Sequence, residues 1–168
     1  MVPTSQEQTS ENESVVEASV AGGTPAGGRV LPSRLERHRR RARKAALSAL
    51  YAAELSHQPP VDVCKMQEDY FGRARDLTKE LVDGVSRNID RLDQRISSAA
   101  EHWALDRMPR VDLVVLRMAM YELEELSDIP TGATINEAVE LAKCFSTTDS
   151  SRFVNGVLGK LATDISSV

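Results

Sequence analysis

The stretch PRVDLVVLRMAMYELEEL, residues 109–126, decides the fold of this chain. Between Leu113 and Tyr121 only Arg117 is polar, so a helix here is apolar nearly all round instead of along one stripe. Such a helix is buried by neighbours on several sides and forms the hub of a helical bundle. Pro109 suits a first helical turn, where no amide donor is lost, and Asp112 in that turn favours the positive end of the helix dipole. The helix therefore starts near residue 109. A strand is the rival reading of LVVLRMAMY. That run is long for a strand, does not alternate, and continues into the helix formers Glu122, Leu123, Glu124 and Glu125.

On the N-terminal side of this hub, the apolar series Leu77, Leu81, Val85, Ile89, Leu92, Ile96, Ala99 and Trp103 advances by threes and fours. It predicts one long helix over 74–103, or two nearly collinear ones broken at Gly84 or Asn88. On the C-terminal side Thr134 precedes Glu137 by three residues, the spacing of a capping box, and opens INEAVELAKCF. Ile135, Ala138, Val139, Ala142 and Phe145 are then expected in the core. Asp149 or Ser150 caps a last helix carrying Phe153, Val154, Val157, Leu158, Leu161 and Ile165. On its other face Gly156 and Gly159 lie beside Arg152, Lys160 and Thr163, where another chain or a neighbouring helix could approach closely.

Earlier in the sequence, a helix runs from Ser33 to about His57 and is stopped by Pro59 and Pro60. Ala42, Ala46, Ala49, Leu50 and Ala53 form its apolar stripe. Residues 61–72 are weakly patterned, with Met66, Tyr70 and Phe71 expected as core contacts of a short helix. Residues 1–32, rich in Ser, Glu, Gly, Thr and Pro, cannot bury enough surface to offset ordering entropy. The expectation is a disordered acidic tail over 1–32 and one all-α domain over 33–168.

A chain of 168 residues, 41% of them hydrophobic, has room for one such core. No apolar run is long enough to span a bilayer, and the first twenty residues lack the pattern of a signal peptide, so a cytoplasmic location is expected. Cys64 and Cys144 have no metal-like partner spacing and read as packed thiols.

The net charge of −4 conceals a segregation: residues 1–28 carry −4, residues 29–44 carry +7 and the remainder −7. One concentrated basic segment in an acidic body implies a localised contact with a polyanion. On the predicted first helix Arg37, Arg40, Arg41, Lys44, Ser48 and Tyr51 follow one another at three- and four-residue steps, flanked by Arg39 and Arg43. A plain solvated face is the alternative. Eight Lys and Arg residues within sixteen repel one another at helical spacing, which favours a polyanion that relieves the repulsion.

The search for catalytic chemistry returns little. His38, His57 and His102 sit beside no cysteine or carboxylate at ligand spacing, and there is no nucleophile elbow, phosphate-binding loop or dinucleotide fingerprint. The expectation is a binding protein with no catalytic residue, cofactor or metal.

Four blocks carry a resemblance to the NusB family of bacterial transcription factors: RRRARKAALSALYAAEL at 39–55, LVDGV at 81–85, WALDRMPRVDLVVLRMAMYELEE at 103–125, and TINEAVELAKCFSTTDSSRFVNGVLGKL at 134–161. The resemblance implies an all-α fold of about seven helices in two packed helical bundles. It also implies a transcription antitermination role in which the protein pairs with NusE, a ribosomal small-subunit protein, on boxA RNA in support of rRNA transcription. Other Nus factors and RNA polymerase would be reached indirectly. Carried over by motif, the RNA surface comprises Arg39, Arg40, Arg41, Arg43, Tyr51, Asp149, Arg152 and Phe153, to which the helical face adds Arg37 and Lys44. The side facing NusE would be acidic, near Asp106, Asp112 and Glu122. Single-stranded RNA suits the basic face, because arginines hold phosphates and unstacked bases lie on an aromatic ring. Two alternatives remain at this point: a helical protein–protein adaptor whose arginines are solvated, and the RNA-binding part of an rRNA methyltransferase.

Overall fold

The structure, a computed structural model, describes residues 33–60, 62, 74–100 and 103–167. The chain divides into two units, Met1–Leu31 and Pro32–Val168, and every described residue lies in the second. The expectations for the 1–32 tail, for Cys64, Met66, Tyr70 and Phe71, and for His102 fall outside the described residues.

Regular structure among the described residues is helical throughout: α1 Arg34–Ser56, α2 Arg75–Arg87, α3 Ile89–Ala99, a 3-10 turn Leu105–Arg107, α4 Arg110–Glu125, α5 Thr131–Phe145 and α6 Ser150–Ser166. This is the all-α class that the sequence predicts. α1 opens with a capping box in which the Ser33 hydroxyl accepts from the Glu36 amide at 3.1 Å and the Glu36 carboxylate accepts from the Ser33 amide. The backbone bond to Ser33 holds the Glu36 carboxyl below its usual range. α1 ends at His57, whose left-handed φ of 55° turns the chain ahead of Pro59.

α4 is the hub. Every residue from Asp112 to Met120 is buried, and α4 packs against α1, α2, α3, α5 and α6 alike. α1 pairs with α2 and α5 with α6, and both groups share α4 and one continuous apolar core. The three ionisable side chains buried on α4 are each answered from another helix. Asp112 accepts a 2.6 Å bond from the Ser150 hydroxyl of α6. Arg117 donates to Asp93 of α3 at 2.7 and 2.8 Å and to Glu54 of α1. Burial alone would lower the Arg117 pKa, but these carboxylates outweigh it and hold the guanidinium above its ordinary value. Glu122 is bonded by Arg43 of α1 and Thr134 of α5.

The 74–103 segment is two helices that break at Asn88, one of the two expected break points, where the side-chain amide donates to the Gly84 carbonyl at 2.8 Å and competes with the helical ladder. Several other expectations are corrected. Gly84 does not break α2; it lies inside the helix, and its missing Cβ leaves the space that the Tyr121 ring of α4 occupies. Downstream of the break Ile89 is exposed, and Trp103 lies beyond the end of α3 with its side chain in solvent. α5 begins one turn before the predicted capping box, so Thr134 is an interior residue and its hydroxyl goes to Glu122 instead of to an amide. Phe145, expected in the core, is exposed, as is Cys144. Asp149 makes no side-chain cap; the buried Ser150 hydroxyl, bonded to Asp112, organises the start of α6 instead. Gly156 and Gly159 face open space among the described residues, so none of the described helices packs closely against them.

The Gly84–Tyr121 contact sets how closely α2 approaches α4. Gly84→Ala should lower stability by about 1–3 kcal/mol despite the better helix propensity of Ala, because the new methyl must displace a packed ring. Denaturant unfolding of Gly84→Ala, Tyr121→Ala and the double variant should give a coupling energy of about 1 kcal/mol or more. Additive effects would mean that the ring swings aside freely.

Candidate nucleic-acid interface

Helical geometry sends the cations of α1 in two directions. Arg43 lies three residues before Ala46 and four before Leu47, which puts it on the buried side; it is 4% exposed. Its Nε and Nη2 donate to the two oxygens of Glu122 at 2.7 and 2.6 Å, and the Thr134 hydroxyl donates to the same carboxylate at 3.2 Å. A charge this deeply buried is tolerated only where it is paired and hydrogen-bonded, as here. Arg43 therefore belongs to the core, and its expected place on an RNA surface is corrected.

The other cations face outward. Arg37, Arg40, Arg41 and Lys44 are exposed, Arg39 and Tyr51 half-buried. Arg40 reaches across to α5, where its Nε sits 2.9 and 3.1 Å from the Glu137 oxygens and its Nη2 2.5 Å from one of them. The bond to Glu137 raises the Arg40 pKa. Arg39 donates to the exposed Asp128 at 2.5 Å. The Lys44 ammonium lies 5.8 Å from the centre of the Phe145 ring. The face thus extends from α1 onto α5 and takes in an exposed aromatic that sequence periodicity assigned to the core. The Arg39 pair with the exposed Asp128 contributes little to stability, whereas the Arg40 pair engages both oxygens of the largely covered Glu137.

A second group gathers at the start of α6. Asp149 and Arg152 are exposed, and the half-buried Phe153 ring packs against Trp103 with centroids 5.4 Å apart and planes tilted by 48°. Of the three acids expected to face a protein partner, only Asp106 is at the surface. Asp112 and Glu122 are 1% and 2% exposed and already bonded within the core, so the expectation that they present carboxylates to a partner is corrected. Sequence reasoning missed Glu137, Asp128 and Phe145 as neighbours of the basic face, since only the packing of α5 and the loop before it brings them there. The inward turn of Arg43 did have a signal, its spacing from Ala46 and Ala53. Among the described residues no group of His, Cys, Asp and Glu side chains could hold a metal ion.

Comparison with known proteins gives a consistent answer. The sequence model of the NusB family matches residues 40–163. The transcription antitermination protein NusB of Salinispora arenicola is 46% identical over 132 residues, covering 74% of this chain and 94% of that protein. In three dimensions T. maritima NusB superposes with a TM-score of 0.71 at 36% identity, over 75% of this chain and 91% of its own. A NusB solved with NusE and double-stranded RNA superposes with a TM-score of 0.69 at 29% identity, over 76% and 98%.

If Arg43 is a core residue, Arg43→Ala should cost about 3–5 kcal/mol of stability by leaving the Glu122 carboxylate buried without its partner. Chemical denaturation measures this directly. A loss below about 0.5 kcal/mol, typical of a solvent-facing arginine, would contradict the assignment.

Proposed function

This chain belongs to the NusB family, and from that premise we propose that it is a transcription antitermination protein that binds RNA together with NusE. The observation that carries this reading is the outward row Arg37, Arg40, Arg41 and Lys44 on α1, continued by Tyr51 and flanked by Arg39. With Arg43 turned inward, the row remains dense enough that mutual repulsion favours a polyanion. Asp149, Arg152 and Phe153 at the start of α6 complete the proposed RNA surface.

The RNA is a boxA-type single strand, and its engagement supports rRNA transcription, with other Nus factors and RNA polymerase recruited indirectly. Arginines on a helix hold a flexible phosphate backbone, and aromatic rings accept bases only from an unpaired strand. The relative solved with NusE carries double-stranded RNA, so competition between single- and double-stranded forms of one sequence decides this point. NusE docks near the exposed Asp106. The protein acts by binding and not by catalysis. No described helix is long and apolar enough to cross a membrane, which fits a cytoplasmic site of action.

Binding of a labelled boxA-like RNA, with and without NusE and across a salt series, tests the proposal. Replacing Arg40 and Arg41 together with Ala should weaken binding and reduce the slope of log K against log salt by roughly 0.7 for each lost phosphate contact. An unchanged slope would place the RNA elsewhere, and no salt-dependent binding by the unmodified chain would favour the protein–protein adaptor.

A further inference from the structure

Trp103 stands apart from the residues assigned so far. It lies beyond the end of α3, anchored by its amide, which donates to the Ala100 carbonyl at 3.0 Å. Its side chain is 52% exposed. The half-buried Phe153 ring supports the indole from α6 at 5.4 Å with a 48° tilt. A tilted pair leaves much of the indole surface open to solvent. An indole this exposed forgoes hydrophobic stabilisation that a fully packed position would supply, yet a firm backing keeps it fixed.

We propose that the exposed face of Trp103, backed by Phe153, is a stacking platform for an unpaired RNA base. The inference rests on the RNA-binding reading above and extends it by one residue. Two features favour a base over an apolar peptide as the occupant. The indole's ring partner is Phe153 alone among the described residues, and Leu35, Leu55, Ile89 and Phe145, the other large exposed hydrophobics there, lie on other elements, α1, α3 and α5. The two segments that carry the ring pair are also basic, with exposed Arg152 preceding Phe153 in sequence and exposed Arg107 four residues after Trp103. An aromatic face with arginines at hand suits a nucleotide, the ring holding the base and the guanidinium groups the flanking phosphates. Asp106 and Asp149 are exposed in the same two segments, so the charge is mixed; a base held mainly by stacking tolerates that better than a strand held by phosphates alone.

Trp103 is the chain's single tryptophan, so its emission reports on this residue without labelling. The full chain, alone and with NusE, is titrated with a boxA-like single-stranded RNA while labelled-RNA anisotropy is followed in parallel, with Trp103→Phe subtracting any indole signal from NusE. The expected result is quenching of Trp103 emission along the same isotherm as the anisotropy. Trp103→Leu should bind roughly ten-fold to a hundred-fold more weakly and Trp103→Phe should recover part of the loss. An RNA abasic at one position should bind the unmodified chain more weakly and Trp103→Leu no worse than the intact RNA does. RNA binding with emission unchanged overturns the proposal and leaves RNA binding itself intact. Emission that responds to NusE alone and not to RNA also overturns it, and makes the indole a protein contact. If the unmodified chain shows no anisotropy change with RNA, both readings fall. The emission measurement uses the unmodified protein, so it decides the matter even if Trp103→Leu does not fold.

Discussion

α4 is surrounded on all sides and nevertheless carries Asp112, Arg117 and Glu122, so three ionisable groups must each find a partner inside the protein. The partners sit on different helices: Ser150 on α6 for Asp112, Glu54 on α1 and Asp93 on α3 for Arg117, Arg43 on α1 and Thr134 on α5 for Glu122. α2 is keyed sterically, by the absence of a Cβ at Gly84 against Tyr121. Each neighbour of the hub is therefore fixed by a feature that apolar packing alone would not supply. Buried ion pairs add little net stability compared with apolar side chains of the same size, but a wrong arrangement that leaves one unpaired costs several kcal/mol, about 3–5 for one lost partner. Their role here is to select one arrangement of helices among many that would bury similar area.

That constraint divides the work on α1. Arg43 and Glu54 face the hub and hold the helix in place, while Arg37, Arg40, Arg41 and Lys44 lie outward on the same cylinder. The outward row sits on a helix whose opposite side is bonded to the hub. Glu137 from α5 receives the Arg40 guanidinium, Nε lying 3.1 and 2.9 Å from its two oxygens, and so fixes the orientation of that side chain. The family shares this architecture with proteins that include a NusB solved on RNA with NusE.

Much of this was legible before any coordinates. A run with one polar residue in nine, without alternation and leading into strong helix formers, reads as a surrounded helix, and the basic row on α1 is visible as spacing. What the sequence hid were the places where side chains choose between backbone and tertiary partners. Thr134 has the spacing of a capping residue, but burial beside Glu122 gives its hydroxyl a stronger partner than an amide. Asp149 stands at the N-cap position but makes no capping bond, and the hydroxyl of the next residue, Ser150, is directed to the buried Asp112 carboxylate. Phe145 and Trp103 belong to apolar series that continue past the point where their helices stop facing the core, so periodicity placed them inside. Both exposed rings lie near the proposed RNA surface, where a local rule broken without a packing reason points to function.

The central claim is that α1 separates structure from binding at Arg43. The most direct test replaces the buried pair with apolar side chains of similar volume, Arg43→Met with Glu122→Leu, and measures RNA affinity over a salt series. The account predicts a folded protein whose affinity and salt slope match the unmodified chain, because no phosphate contact is lost. A slope reduced by roughly 0.7, the value of one phosphate contact on a single strand, would show that Arg43 leaves the core to bind RNA and would contradict the account.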